Sequence, residues 1–124
     1  MSSVYSVTAL GSKAATDLDA GKVLNIAGTT YEATATTGGR GIIAEPVKAG
    51  FPVSIYTQIA TDIRAVALDR SALTQGDLLT ATTGGVLTAT TTAGNIIYGR
   101  YIADDPDNIL GAETIIIQPL YFVL

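Results

Sequence analysis

The 124-residue chain contains no histidine, no cysteine and no tryptophan. Without cysteine it can form no disulfide bonds and no thiolate nucleophile, and without histidine it lacks the commonest general base and metal ligand of proteins. A serine or threonine nucleophile would then need a lysine as its base, and only Lys13, Lys22 and Lys48 are present. None of the three lies in a recognisable catalytic motif. The sequence therefore predicts a protein that is not an enzyme and that carries no cofactor.

Charge is also scarce, since 15% of the residues are charged and the net charge is −4. A nucleic-acid backbone requires clustered lysine and arginine, so no nucleic-acid partner is expected. Residues 1–8 lack the basic region and the apolar run of a secretory signal. The longest apolar stretch, 114–124, is interrupted by Gln118 and Pro119 and is shorter than the ~20 residues that cross a bilayer. We expect neither export nor a membrane span.

The residues that are abundant favour β-structure. Apolar residues make up 48% of the chain, much of this share is alanine, and a chain of this length forms one domain around a single core. Residues 30–36 and 52–57 alternate between apolar and polar positions, which is typical of half-buried strands. The sequence predicts an all-β fold, a small sandwich or barrel with short helical turns. Further strands are predicted at 22–26, 41–47, 63–68, 77–81, 86–90, 96–103 and 115–123.

A short pattern occurs twice. Leu-Asp-Ala-Gly-Lys-Val-Leu at 18–24 returns 55 positions later as Leu-Thr-Gln-Gly-Asp-Leu-Leu at 73–79. Further along, Tyr31 aligns with Leu87 at a spacing of 56, and Gly41 aligns with Gly99 at a spacing of 58. The pattern indicates two degenerate halves, with chance similarity among common residues as the alternative. Two glycine pairs, Gly38-Gly39 and Gly84-Gly85, are predicted to form hairpin turns at equivalent places in the halves.

The densest group of carboxylates is Asp104-Asp105-Pro106-Asp107-Asn108. Its oxygen atoms could hold a hard cation such as calcium, but the closing glutamate of a calcium loop is missing, and no metal is expected. We interpret the group as an acidic surface loop in which Asp105 caps one helical turn that ends at Gly111. Glu32, Glu45 and Glu113 are expected to be solvated.

The C-terminal stretch 114–124 is apolar on both faces of a strand. Such a strand lies either inside the core of its own chain or between the core and a neighbouring subunit. Pro119 cannot donate a ladder hydrogen bond, which favours an edge or an interface. We therefore assign Tyr121, Phe122, Val123 and Leu124 to a subunit interface.

The order of these segments resembles a known family. Residues 20–24 open the first half, followed by Gly-Ile-Ile-Ala-Glu-Pro-Val at 41–47 and Ala-Gly-Phe-Pro-Val-Ser-Ile-Tyr at 49–56. The second half opens with Gln-Gly-Asp-Leu-Leu-Thr at 75–80, followed by Gly-Gly-Val-Leu-Thr at 84–88 and Tyr-Gly-Arg-Tyr-Ile at 98–102. This arrangement is similar to that of the head-decoration, or cement, proteins of tailed bacteriophages, the lambda-type group. The likeness covers residues 18–103.

The resemblance implies a tulip-like β fold that binds the outside of an assembled capsid as a homotrimer and stabilises the shell. It implies the major capsid protein and further copies of the chain as partners, no catalytic or cofactor residues, and a place on the capsid exterior after synthesis in the host cytoplasm. It also implies an N-terminal arm, residues 1–10, ahead of a single β domain at 11–124. Val4, Tyr5 and Val7 would be the apolar anchors of this arm on the capsid.

A second reading is a β-sandwich module, on a viral or surface structure, that binds carbohydrate or protein. Carbohydrate modules stack sugars on exposed aromatic rings, often tryptophan. This chain has six tyrosines and two phenylalanines, several of them at positions expected to be buried. Aromatic exposure therefore distinguishes the two readings.

Overall fold

A computed structural model describes residues 6–8, 12–56 and 61–124. In this part of the chain the regular elements are strands and two short 3-10 turns, at Arg70–Ala72 and Thr83–Gly85, so the all-β prediction is confirmed. The strands are β1 (Ser6–Thr8), β2 (Val23–Leu24), β3 (Gly41–Ile42), β4 (Ser54–Tyr56), β5 (Ile63–Val66), β6 (Leu78–Ala81), β7 (Leu87–Ala89), β8 (Ile96–Asp104) and β9 (Thr114–Val123).

The strands form antiparallel ladders. The largest sheet has five strands in the order β5-β9-β8-β6-β7, and two smaller ladders pair β1 with β4 and β2 with β3. Single bridges extend the smaller ladders, because Ile43 pairs with Ile55 and Leu24 pairs with Tyr31. With these bridges the first half of the chain also forms a connected series, β1-β4-β3-β2-Tyr31.

The two halves therefore have the same strand order. The five paired segments of each half can be numbered 1 to 5 in chain order. Their order across the sheet is then 1-5-4-2-3 in both halves. In the second half, Ala67 after β5 forms a parallel bridge with Leu87 of β7. Each half has a hydrogen bond at this place, from Ala15 N–H to Thr29 O in the first and from Leu68 N–H to Leu87 O in the second, both at 2.9 Å. Neither forms a closed barrel. The predicted duplication is a feature of the fold.

Equivalent hydrogen bonds support the same conclusion. The Gly21 N–H donates to Ile43 O at 2.8 Å, and the Gly76 N–H donates to Tyr101 O at 2.9 Å. Leu24 pairs with Gly41 as Leu79 pairs with Gly99. These matches agree with the predicted spacings of 55 and 58, which would be an improbable coincidence for unrelated segments.

The predicted spacing of 56 between Tyr31 and its equivalent was wrong by two residues. Tyr31 pairs with Leu24, and the residue that pairs with Leu79 in β7 is Ala89. Tyr31 is thus equivalent to Ala89, at a spacing of 58, and not to Leu87. The insertion in the second half lies in the β6–β7 connection, where the 3-10 turn has been added.

The hydrophobic core has two parts. The smaller part belongs to the first half and contains Ala14, Leu18, Leu24, Ile43 and Val53. The larger part lies against the five-stranded sheet, and it also takes in Val23 and Ile42 from the first half. Because neighbouring residues of an extended chain point to opposite faces, Val23 and Ile42 face the larger part, whereas Leu24 and Ile43 face the smaller part. This segment therefore joins the halves.

The strand predicted at 30–36 is absent apart from the Tyr31 bridge. Glu32, predicted to be solvated, is 4% exposed, and its Oε2 accepts hydrogen bonds from Thr34 N–H and Thr34 Oγ1, both at 3.1 Å. Thr34 Oγ1 in turn accepts from the Thr37 N–H at 3.3 Å. These local side-chain bonds replace the ladder bonds of a strand. Glu45 is exposed and Glu113 is half-buried.

The two glycine pairs differ. Gly84 and Gly85 connect β6 to β7 with φ of 81° and 74°, as predicted for a hairpin. Gly38 and Gly39 precede β3 and form no hairpin, so that prediction was wrong. Gly39 is required for a different reason, because a Cβ there would lie 2.6 Å from Leu24 O.

The loop after β8 forms successive turns and no helix. Asp105 does cap these turns, since its carboxylate accepts from Asp107 N–H and Ile109 N–H, both at 3.2 Å. It is not a surface residue, because its side chain is 1% exposed and pairs with Arg64 Nε at 2.9 Å. The interpretation of this residue as part of a surface loop was therefore wrong.

Candidate interaction surface

The end of β9 is a strand edge. The ladder with β5 covers only residues 114–117 of β9, whereas the ladder with β8 continues to Val123. From Gln118 onward, no strand of the described chain pairs with the other side of β9. Pro119 lies in this stretch, where a missing N–H is tolerated. Among the described residues, the C-terminal strand is thus central at its start and an edge at its end, and the subunit interface assigned to its end stays a prediction.

This edge exposes apolar side chains. Tyr121 is 39% exposed, Phe122 is 38% exposed and Val123 is 63% exposed. The chain end is nevertheless held in place, because Leu124 N–H donates to Asn95 O at 2.9 Å and Leu124 O accepts from Gly94 N–H at 2.8 Å. We call residues 120–123 the C-terminal strip. A strip that is already ordered loses little conformational entropy on binding.

A cleft of about 290 Å³ lies beside the C-terminal strip. Val7 of β1 lines it together with Leu120 and Tyr121 of β9. Two groups that the sequence analysis placed on different partners, the arm and the chain end, therefore share one cleft. The other lining residues are Arg40, Gly41, Ile42, Ile55, Tyr56, Ile63, Tyr98 and Pro119.

The described residues of the predicted arm belong to a ladder. Ser6, Val7 and Thr8 pair with Tyr56, Ile55 and Ser54 of β4. Val7 is 50% exposed although it lies in this strand. Val4 and Tyr5 lie outside the described residues.

Tyr98 is a buried residue that lines the cleft. Its hydroxyl accepts a hydrogen bond from the Gly39 N–H at 2.6 Å, and its ring meets that of Tyr121 edge to face, with centroids 5.7 Å apart. Burial, only partly offset by the Gly39 hydrogen bond, raises the pKa of Tyr98 to about 12. Neither Tyr98 nor Leu120 was singled out from the sequence, because their role depends on contacts between the halves.

The carboxylates of Asp104, the last residue of β8, and of Asp105 are used within the fold. Asp105 pairs with Arg64, and Asp104 Oδ2 lies 3.7 Å from Arg70 Nε. Burial raises the pKa of Asp105, but the Ile109 and Asp107 N–H groups and Arg64 outweigh it, so the net shift is downward. Within the described ranges, no three histidine, cysteine, aspartate or glutamate side chains are placed to hold a metal ion.

No protein-family model, no curated protein and no solved structure matches this chain. Within the described ranges, no helix is long and apolar enough to cross a membrane.

Proposed function

We propose that this chain is a structural protein of a bacteriophage virion, a decoration protein that binds the outer surface of the assembled capsid as a homotrimer and stabilises the shell. Its partners are the major capsid protein and two further copies of itself, and it works without catalysis. It is made in the host cytoplasm and ends on the capsid exterior. The family resemblance of residues 18–103 is one support for this proposal.

The observation that carries the proposal is the exposed apolar end of β9, together with the cleft that Val7 shares with Leu120 and Tyr121. Tyr121, Phe122 and Val123 are consecutive and exposed, and no strand among the described residues pairs with the outer side of β9 here. Large exposed apolar patches on a protein surface mark interaction sites. An unpaired strand edge also offers backbone hydrogen bonds to a partner.

The buried polar groups support a structural role. Glu32, Thr80, Asp105 and Thr114 are the polar or charged residues of the described chain that are almost fully buried, and each has hydrogen-bond partners inside the fold. Ser12 Oγ is buried without such a partner. Such groups, once satisfied, make a fold rigid.

A trimer fits the modest size of the surface. Three copies of a weak contact act together, because the second and third contacts form at a high effective concentration once the first is made. A trimer that bridges subunits of the assembled shell and binds dispersed subunits less well shifts the assembly equilibrium by mass action.

The second candidate is a ligand-binding module for carbohydrate or protein. Tyr56, Tyr98 and Tyr121 line the cleft, and aromatic rings are common in sugar sites. Tyr98 is only 1% exposed and its hydroxyl is engaged by Gly39, which leaves Tyr121 as the most exposed ring. A saccharide that binds the isolated protein and competes with shell binding would favour this candidate.

The proposed function is tested by sedimentation with empty capsid shells of the phage that encodes the chain. The wild type should pellet with shells, whereas Val7→Lys should pellet at least tenfold less at equal concentration. Leu68→Lys is the matched control, because Leu68 is 59% exposed and lies outside the cleft. Wild-type protein that stays in the supernatant at saturating shell concentration would refute the proposal.

A further inference from the structure

The two halves of the chain meet at Gly21. The Val66 N–H of β5, in the second half, donates to Gly21 O at 2.9 Å. A Cβ on Gly21 would lie 2.5 Å from Leu110 Cδ1 and 3.2 Å from Val66 Cγ2. The second half therefore packs directly on the Gly21 turn, which only glycine allows.

Gly76 is the equivalent of Gly21 in the second half. The two residues have φ of 96° and 88°, and each donates its N–H to the corresponding strand of its half. Gly76 is exposed, and a Cβ built on it would have no atom of the described chain within 4 Å. The surface that receives the second half thus exists twice, and its second copy is open.

Arginine occupies the centre of this open copy. In the first half, Val23 pairs with Ile42, and both are buried against the second half. The equivalent pair in the second half is Leu78 and Arg100. Arg100 is exposed, and its Nη1 donates to Gly76 O at 3.2 Å. Arg100 therefore takes the carbonyl that, in the first half, accepts a bond from the next unit.

We propose that Arg100 is the residue that ends the repeat at two units. Within one chain the second half docks on the first, and Arg100 prevents the first half of another copy from docking on the second half in the same way. Docking there would break the Arg100–Gly76 bond and bury an unpaired guanidinium, which is strongly unfavourable. Repeat proteins need a polar terminal unit for the same reason. Because it concerns the mass of the isolated protein, this inference does not depend on the capsid role.

The test is Arg100→Ile, which restores the residue type found at Ile42. Its weight-average mass in light scattering should rise with concentration to at least twice that of the wild type. Arg100→Lys, which keeps the charge, should retain the wild-type mass. Circular dichroism and the melting temperature check that each variant is folded.

A double variant separates this docking from general stickiness. The double variant carries Gly76→Asn together with Arg100→Ile. Asparagine tolerates a positive φ, and its side chain lies where the docked unit would approach. Its mass should return to the wild-type value. Wild-type mass for folded Arg100→Ile, or association that survives Gly76→Asn, would overturn the proposal. If Arg100→Ile fails to fold, Arg100→Ala is used, and an unchanged mass for the folded Arg100→Ala variant would overturn the proposal equally.

Discussion

At the scale of single residues, Tyr98 and Gly39 join the halves of the chain. Tyr98 lies in β8 of the second half, and its hydroxyl satisfies the N–H of a buried glycine in the first half. Buried backbone donors are almost always paired, because an unpaired one loses its hydration without compensation. The hydroxyl therefore has a structural role, and the cleft beside Tyr121 is built on it.

Removing that hydroxyl should destabilise the fold. We expect Tyr98→Phe to lower the free energy of unfolding by about 1–3 kcal/mol, because the Gly39 N–H is left unsatisfied. Chemical denaturation measures the change. Tyr31→Phe is the control, since the Tyr31 hydroxyl accepts an exposed bond from Asp19 N–H at 2.8 Å, and its loss should have the smaller effect. Equal effects of the two variants would contradict this role.

Alkaline pH should also destabilise the protein. Burial is the main reason that the pKa of Tyr98 and that of Tyr101 are each raised to about 12, against about 10 in an unfolded chain. Their contribution is complete below about pH 10 and is lost as pH rises through the folded pKa. Phenolate absorbance and circular dichroism followed together should show late tyrosine ionisation coupled to unfolding. Ionisation of all six tyrosines near pH 10, with the fold intact, would contradict the burial of these rings.

Acid pH acts through Asp105. Its pKa is lowered in the folded protein, because backbone N–H groups and Arg64 outweigh the effect of burial. Its contribution is present above the unfolded value of about 4 and is lost as pH falls through the lower folded value. The melting temperature should therefore decrease as the pH is lowered below about 4. Asp105→Asn should weaken this pH dependence and should lower the melting temperature at pH 7. An Asp107→Asn control, at an exposed position, should do neither.

At the scale of elements, the second half was predicted more accurately than the first. The strand predicted at 96–103 is Ile96–Asp104, and the one predicted at 115–123 is Thr114–Val123. These strands are long and have several buried residues, so the pattern of residues indicates them clearly. In the first half, β2 and β3 have two residues each, and the turn bonds around Glu32 and Thr34 replace a strand that the alternation favoured.

The interaction surface was only partly visible in the sequence. The apolar chain end and Val7 could be named from residue type. That they share a cleft could not, because it depends on the β1–β4 pairing and on β5 beginning at Ile63, opposite Ile117. The use of Gly21 and Gly76 in the same turn followed from the repeat, whereas the block by Arg100 required the ladder register.

The end of β9, with which no strand of the described residues pairs on its outer side, should carry the contact between subunits. We expect wild-type protein to have a native mass of three times 12.7 kDa, and Val123→Lys to have the mass of one chain. A lysine at an exposed edge should leave the melting temperature of the monomer unchanged but disfavour edge pairing. Ile109→Lys is the matched control, because Ile109 is 62% exposed and Val123 is 63% exposed. A trimer that survives Val123→Lys would place the contact elsewhere.

At the scale of the whole molecule, the duplicated halves should unfold as one unit. Val23 and Ile42 of the first half are part of the larger core, so neither half keeps its packing alone. Leu24→Ala in the smaller core and Ile117→Ala in the larger core should each lower the free energy of unfolding by about 2–5 kcal/mol. Both should shift one shared transition in circular dichroism and tyrosine fluorescence. Two separate transitions would show that the halves are independent.

The capsid role is tested most directly by the heat resistance of the shell. Empty shells are incubated with and without saturating protein, and the temperature at which they dissociate is measured by light scattering. Because the protein is proposed to bind the assembled shell in preference to its dispersed subunits, bound shells should dissociate at a higher temperature than bare shells. Bare and protein-saturated shells that dissociate at the same temperature would contradict the account.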